Sequence, residues 1–134
     1  MDGSFKKGGN NKQLNVLGGD LEPCNSFKNE NNIVTGFYRD NCCNTGKEDI
    51  GIHTVCCIIT KYFLTFSKLV GNDLSTPIPE YNFKGLRDGD HWCLCASRWQ
   101  EAFEAGKAPK VILKSTNIAT LSVVKLEDLK KYSA

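Results

Sequence analysis

The segment HTVCCIITKYFLTFSKLVG, residues 53–71, decides the fold class of this chain. Its first eight residues are rich in β-branched side chains, a pattern typical of a short buried strand. Thr60 then stands at the N-cap position of a predicted helix, and Gly71 ends the helical pattern near Val70. Apolar residues recur at helical spacing between these limits, so the segment predicts a strand followed directly by a helix.

A second strand and helix are predicted from DGDHWCLCASRW, residues 88–99. The segment 91–95 has the length of a strand, and its odd-numbered side chains share one face. Ser97 and Gln100 match the capping box that precedes a helix. Two tryptophans, a histidine, two cysteines and an arginine lie in this stretch, so it is also a candidate site.

The remaining chain completes a small α+β domain. Segment 110–115 is predicted as a third strand, segment 121–124 as a fourth, and a last helix begins at Leu126. This order predicts a small mixed sheet with about three helices packed on one face, a two-layer arrangement with long irregular loops. The longest loop, 71–90, contains apolar residues and is interpreted as an ordered cover rather than a flexible tail.

The distribution of charge divides the 134 residues into a leader and a neutral body. Residues 1–12 carry three lysines and one aspartate, which accounts for the whole formal net charge of +2. We therefore predict a flexible leader at 1–14 and one domain at 15–134. A neutral body argues against nucleic-acid binding, and the short apolar runs argue against a membrane partner. The lysines near the N-terminus precede no apolar segment, so we expect no secretory signal and a cytoplasmic protein.

Five motifs together resemble a bacterial family of small single-domain proteins, domain-of-unknown-function family 2237. They are TGFYRDNCCNTG, HTVC, GNDLSTPIPEY, GDHWCLCASRW and VKLEDLK. The similarity covers about residues 15–132 and implies a single small α+β domain, while it implies no activity. The chain departs from the family pattern at five positions: Asn41 (glycine expected), Cys57 (alanine expected), Lys84 and Asp88 (proline expected) and Asn117 (histidine expected). The departure at Asn117 matters most.

The seven cysteines are interpreted mainly as small apolar residues of the core. An odd number of cysteines without a secretory signal argues against a disulfide framework. On a strand, Cys93 and Cys95 are about 6.6 Å apart, whereas sulfurs on one zinc ion are about 3.8 Å apart. No cysteine spacing matches the C-x₂₋₄-C pairs of structural zinc sites, so we predict no metal and no cofactor.

A cysteine-dependent enzyme or thiol redox protein is one alternative function. The vicinal pair Cys42 and Cys43 lies in a polar loop beside Arg39, where a nearby cation favours the thiolate. His53 is the candidate base for either thiol. The competing interpretation is that one cysteine anchors the loop in the core.

The leading hypothesis is a pocket for a small polar or anionic ligand. The 71–90 loop is its predicted lid, and the loop around residue 39, His53 and the turn 92–98 are its predicted walls. Arg98 near a helix N-terminus is a candidate anion contact. A protein-interaction module with Tyr81, Phe83 and Leu86 as an exposed patch is the other alternative, and the oligomeric state is left open. The candidate ligand-binding residues are Arg39, Asp40, Cys43, His53, Asn72, Asp73, His91, Trp92, Cys93 and Arg98.

Overall fold

A computed structural model describes residues 12–134 and contains one three-stranded sheet. The strands are β1 (His53–Ile58), β2 (His91–Cys95) and β3 (Lys110–Val111), in the order β2-β1-β3. Both strand pairings are antiparallel, and the one parallel contact is an isolated bridge between Val111 and Ser133. The predicted α+β class is confirmed.

Three α-helices accompany the sheet: α1 (Lys61–Leu69), α2 (Ala96–Glu104) and α3 (Leu126–Lys131). The predicted N-cap of α1 is confirmed, because the Thr60 hydroxyl accepts a hydrogen bond from the Phe63 amide at 3.1 Å. A residue far along the chain also caps the N-terminus of α1, since the Asp88 carboxylate accepts the Lys61 amide at 3.0 Å. Within the described residues, none of these helices is long and apolar enough to cross a membrane.

The predicted capping box at Ser97 is wrong. The N-cap of α2 is Cys95, two residues before Ser97, and no side-chain cap is seen among the described residues. The Ala96 amide instead donates to the Ile52 carbonyl at 2.9 Å. The carbonyl just before β1 therefore binds the first amide of α2, and this tertiary contact replaces the capping box that the sequence predicts.

The third strand is shorter than predicted, and the predicted fourth strand is wrong. After Val111 the chain forms one 3₁₀ turn (Leu113–Ser115) and a second (Ile118–Ser122). Asn117 caps the second turn, since its side-chain oxygen accepts the Ala119 amide at 2.9 Å. The short strand β3 pairs with only the end of β1. The remaining backbone groups on that side of β1 bind isolated partners; for example, the Thr116 hydroxyl accepts the Cys56 amide at 3.1 Å. A continuous fourth strand is therefore not needed to pair this edge.

The two faces of the sheet pack against different parts of the chain. One face, with Val55 and Leu94, joins the main core beneath the helices. Trp99 of α2 is fully buried there, and its indole N–H donates to the Pro109 carbonyl at 3.2 Å. Phe103 and Tyr132 pack on Trp99, with ring centroids 5.3 and 5.7 Å away. The opposite face is covered by the irregular chain that precedes β1.

Two disulfides fasten that irregular chain to the sheet: Cys24–Cys56 and Cys43–Cys93. The prediction that these cysteines pack as free thiols is therefore wrong. The partners are 32 and 50 residues apart in the chain, so parity and local spacing contained no sign of the pairing. The other three cysteines, Cys42, Cys57 and Cys95, are free.

The predicted leader lies mostly outside the described residues. Its last part already contacts the domain, because the Gln13 side chain donates to the Thr45 carbonyl at 2.9 Å and accepts the Thr45 amide at 3.0 Å. The Asn117 side chain also bonds Gln13 and, at 3.1 Å, the Cys43 carbonyl. Asn117, where the family resemblance implies histidine, thus ties the start of the domain to the Cys43 loop.

Candidate functional site

An open pocket of about 600 Å³ lies beside the edge strand β2. We call it the Arg39 pocket, and its lining comes from residues 32–34, Arg39, residues 81–84 and Trp92. These segments are far apart in the chain and include one stretch from the loop before β1 and one from the long 71–90 loop. The pocket therefore exists only in the folded chain.

Trp92 forms the floor of the pocket together with Phe83. Their ring centroids are 5.5 Å apart, and Phe83 packs against the main core. A tight turn presents Phe83, because Ile78 and Phe83 exchange backbone hydrogen bonds of 2.8 and 3.1 Å. Asn82 within this turn has a left-handed backbone (φ 55°), which asparagine tolerates better than most residues. The 71–90 loop, predicted as a lid, thus contributes an ordered part of the pocket wall.

Arg39 extends over Trp92, with its guanidinium carbon 5.3 Å from the centre of the indole ring. This distance is within the range of a cation–π contact. Arg39 Nη1 donates to the Gly36 carbonyl at 2.6 Å, which holds one end of the guanidinium. Partial desolvation lowers the pKa of Arg39 from its usual value, although a guanidinium keeps its charge in proteins.

The loop that carries Arg39 is held rigidly on β2. A Cβ at Gly36 (φ 96°) would lie 2.4 Å from the Cys42 carbonyl oxygen, so only glycine fits there. Asn41 also has a left-handed backbone (φ 63°), which explains how it occupies a position where the family resemblance implies glycine. Its side-chain oxygen accepts the Thr35 amide at 2.9 Å and closes the loop. The Cys43–Cys93 bond then joins the loop directly to the residue after Trp92.

The electrostatic character of the Arg39 pocket is cationic. Arg39 and Lys84 contribute positive charge, Asn32 and Asn82 contribute amides, and no carboxylate is among the lining residues that the structure describes. Lys84, where the family resemblance implies proline, adds the second charge. The arrangement is chemically suited to an anion that also has an apolar surface.

Several predicted site residues lie outside this pocket. Arg98 pairs with Glu101 at 3.1 Å, one turn further along α2. Asp73 accepts hydrogen bonds from Ser75 and Thr76, which lower its pKa to about 2, and Asn72 closes the end of α1 through backbone contacts. The predicted contribution of these residues to one shared pocket is not seen in the lining.

His53 is bound to Asp49 and not to a cysteine. The two side chains are 2.6 Å apart, and Asp49 also accepts the Thr45 hydroxyl at 3.0 Å. Burial raises the pKa of Asp49, but these hydrogen bonds outweigh burial and leave its pKa lowered. Phe37 stacks on the His53 ring at 6.1 Å. His53 is therefore part of a local structural network.

His91 and Asp40 also serve local contacts. His91 Nδ1 lies 2.6 Å from the Cys24 carbonyl oxygen, and the ring borders a smaller cleft of about 300 Å³. Asp40 is exposed, accepts the Cys42 amide at 3.1 Å and binds Asn44 at 3.0 Å. Both residues shape the loops around the sheet without reaching the Arg39 pocket lining.

The structure contradicts Cys43 as a nucleophile, because its sulfur is bonded to Cys93 and is fully buried. Cys93 is excluded as a ligand contact for the same reason. Cys42 is free, but burial and then the neighbouring Asp40 raise the pKa of its thiol. A raised pKa disfavours the thiolate, so the thiol lacks the activation that a cysteine enzyme needs.

The predicted interaction patch is also wrong. Leu86 is only 2 % exposed and Phe83 packs on the core, whereas Tyr81 alone is highly exposed at 77 %. Of the ten predicted ligand-binding residues, Arg39 and Trp92 line the pocket. The sequence interpretation missed Lys84, Asn82 and Asn32. The departure from proline at Lys84 was the one sequence signal that singled out any of the three.

The fold and the pocket define a small α+β domain in which two disulfides fix long loops on a three-stranded sheet, with an open cationic and aromatic cleft at its edge. The chain belongs to the family described as an uncharacterised protein conserved in bacteria, domain-of-unknown-function family 2237, whose model matches residues 14–133. The resemblance found in the sequence is thereby confirmed. The comparison with curated proteins finds no match.

Proposed function

We propose that the protein binds a small anionic ligand with a flat apolar portion in the Arg39 pocket. The observation that carries the proposal is the Arg39 guanidinium held over Trp92, in a cleft where residues 12–134 contribute no lining carboxylate. The pocket volume of about 600 Å³ is in the range of small-molecule sites, about 300–1,000 Å³.

Arg39 supplies the anion contact in this proposal. One guanidinium nitrogen is used by the Gly36 carbonyl, and the remaining N–H groups are available as donors to a carboxylate or phosphate. The Trp92 ring beside the guanidinium is less polarisable than water, so the charge of Arg39 is less screened on that side. Lys84 adds a second cation at the rim.

The aromatic residues supply the apolar contact. Phe83 and Trp92 hold each other in place, and Tyr81 beside them is 77 % exposed. An exposed aromatic ring next to an ordered aromatic floor offers a flat ligand a surface on which to stack. The ligand class is therefore a planar carboxylate or an organic phosphate with an aromatic group.

An NMR titration with matched compounds tests the proposal. Planar carboxylates and organic phosphates are each compared with the neutral amide or the dephosphorylated counterpart. We expect amide shifts near Arg39 and Trp92 with the anions, and weaker binding of the neutral counterparts. Arg39→Gln should weaken binding about 10- to 100-fold, since a charge-assisted hydrogen bond contributes about 1.5–3 kcal/mol.

Arg98→Gln is the matched control, because Arg98 pairs with Glu101 and lies outside the pocket lining. This variant should bind within about twofold of the unmodified protein. The proposal fails if no compound of the panel shifts the Arg39 and Trp92 signals. It also fails if the two arginine variants weaken binding equally.

The cytoplasmic location stays a prediction, and the four disulfide-bonded cysteines make it testable. Disulfides persist in oxidising compartments and are rare in the reducing cytoplasm. Cells are quenched with acid, and the denatured protein is alkylated with a mass-tagged reagent. A cytoplasmic protein should carry seven tags, whereas three tags would indicate that both disulfides persist and that the location is wrong.

A further inference from the structure

We propose that Cys24, Cys43, Cys56 and Cys93, when reduced, form a tetrahedral thiolate site for one zinc ion. We call these residues the four-cysteine cluster. They are packed together on the loop-covered face of the sheet, with Ile112 beside them. This site is separate from the Arg39 pocket and does not depend on the proposed ligand.

Strand register and loop packing bring the four cysteines together from four segments of the chain. Cys56 of β1 and Cys93 of β2 are directly opposite in the antiparallel register, so their side chains project from the same face. Cys24 and Cys43 approach from the covering loops. The sulfurs of Cys24, Cys43 and Cys93 all lie within 4.8 Å of one another, and Cys24 is bonded to Cys56.

Three of the four sulfurs have separations close to those of a zinc site, and Cys56 is held beside them by its bond to Cys24. Four sulfurs at about 2.3 Å from one tetrahedral ion are about 3.8 Å apart. Each bonded pair of sulfurs has to open to this separation on reduction and metal binding. Since the two disulfides are neighbours, this opening moves sulfurs around a common centre instead of separating two remote sites.

The four cysteines of the cluster are buried beneath the covering loops. All four cysteines are 0–3 % exposed, and each cluster side chain offers sulfur alone, which zinc accepts four at a time. The backbone amides of Cys24 and Cys93 are already bound, to Asn41 and to Thr35. Local hydrogen bonds therefore hold the ligand backbones in place without the disulfides.

A buried amide near the cluster provides a second observation. Asn41 Nδ2 is buried and has no hydrogen-bond partner among the described residues, which is unusual for a buried polar atom. The carbonyl of Asn41 binds the Cys24 amide at 2.8 Å, so the residue is next to a ligand position. A metal-bound thiolate accepts hydrogen bonds, and an unpaired N–H donor beside the ligands favours a ligand set with net negative charge.

The spacing rules missed this ligand set because the ligands come from distant segments. The cluster uses one cysteine from each adjacent pair: Cys43 but not Cys42, and Cys56 but not Cys57. The strand neighbours Cys93 and Cys95 do not act together either. Each ligand pair is therefore assembled by strand register and loop packing.

A water-soluble phosphine cleaves each disulfide, and water provides the oxygen of the phosphine oxide and the two protons of the resulting thiols. Reduction of both bonds uses two phosphines and two waters, and gives four thiols. Zinc then displaces the four thiol protons, and the bound ion with its four thiolates has a net charge of −2.

A cobalt titration of the reduced protein tests the site. The protein with Cys42→Ser, Cys57→Ala and Cys95→Ser retains only the four-cysteine cluster. It is reduced with the phosphine without oxygen and titrated with Co²⁺, whose tetrahedral thiolate complexes absorb strongly in visible light. We expect saturation at one cobalt ion per chain, loss of the absorption when Zn²⁺ is added, and loss of saturable binding with Cys24→Ser or Cys93→Ser.

Circular dichroism of the reduced protein and cobalt binding by an Arg39 variant complete the test. If reduction unfolds the chain, far-UV circular dichroism should recover when Zn²⁺ is added to the reduced protein. Arg39→Gln should bind cobalt as the unmodified protein does, which separates this site from the Arg39 pocket. The proposal is overturned if the reduced protein takes up no cobalt, if uptake persists in the Cys24→Ser and Cys93→Ser variants, or if an unfolded reduced chain fails to recover structure with Zn²⁺.

Discussion

The Cys43–Cys93 bond should contribute a large part of the stability of the oxidised domain. Cys43→Ala combined with Cys93→Ala removes this bond without burying a new polar group. The bond closes a loop with a sequence separation of 50, for which the chain-entropy relation predicts about 4 kcal/mol at 25 °C. Since single domains are stable by about 5–15 kcal/mol, this loss is a substantial fraction of the total.

Urea unfolding followed by circular dichroism measures the effect. The double variant should unfold at a lower urea concentration, with a free energy of unfolding lower by about 4 kcal/mol. Its dependence on urea should be steeper, because an unfolded chain with one crosslink fewer exposes more surface. Cys57→Ala is the control, since Cys57 is a free, buried cysteine of the main core. The free energy of unfolding of this control variant should fall by about 1 kcal/mol, and its dependence on urea concentration should not change.

The result that refutes this reasoning is a double variant with an unchanged midpoint and an unchanged urea dependence. That result would mean that the bond constrains neither the unfolded chain nor the loop on β2. A loss of stability without a change in steepness would place the effect in the folded state, through packing around the sulfurs. The two measurements thus separate the unfolded-state contribution from the native-state contribution.

Three further predictions concern the loops around the sheet. Gly36→Ala should destabilise the fold more than Gly71→Ala, because both positions have left-handed backbones but only a Cβ at Gly36 would clash, at 2.4 Å from a backbone oxygen; urea midpoints compare the two variants, and equal losses would contradict the clash. The lowered pKa of Asp49 means that its contribution is present above the unfolded pKa and is lost as the pH falls through the folded value. Asp49→Asn should therefore flatten the acid limb of a stability–pH curve, and an unchanged limb would be inconsistent with this. Finally, the hydrogen bond to Glu48, with burial and nearby carboxylates, raises the pKa of Tyr38 to about 12. An ultraviolet titration should show a late-titrating tyrosine that is lost in Glu48→Gln, and its absence from the unmodified protein would disprove the contact.

The part of the fold that could be predicted from the sequence is the part in which neighbours in the chain are neighbours in space. The strand at 53–58 and the helix after Thr60 were predicted because β-branched content, helical spacing and an N-cap hydroxyl act within a few residues. The 121–124 strand failed because its apolar pattern was equally compatible with a 3₁₀ turn. The cap from Asn117 and the contacts to β1 decided between the two structures.

The candidate site was predictable only as a set of residue types. Arg39 and Trp92 were named as candidates from chemistry and loop position, and both line the pocket. Arg98 was named by the same reasoning, but its partner Glu101 lies one turn away on α2. Which of two arginines reaches an aromatic floor depends on how the loop before β1 folds over β2.

The sequence by itself determined the α+β class, the first strand–helix unit and the family. These features depend on local periodicity and on motifs that can be read in order along the chain. Only the tertiary structure decided which cysteines bond and where the pocket lies. The register that places Cys56 opposite Cys93 is set by pairing between strands 38 residues apart by residue number, and loop packing then brings Cys24 and Cys43 to the same point. Contacts of this range follow from burial of the whole chain, which no local pattern encodes.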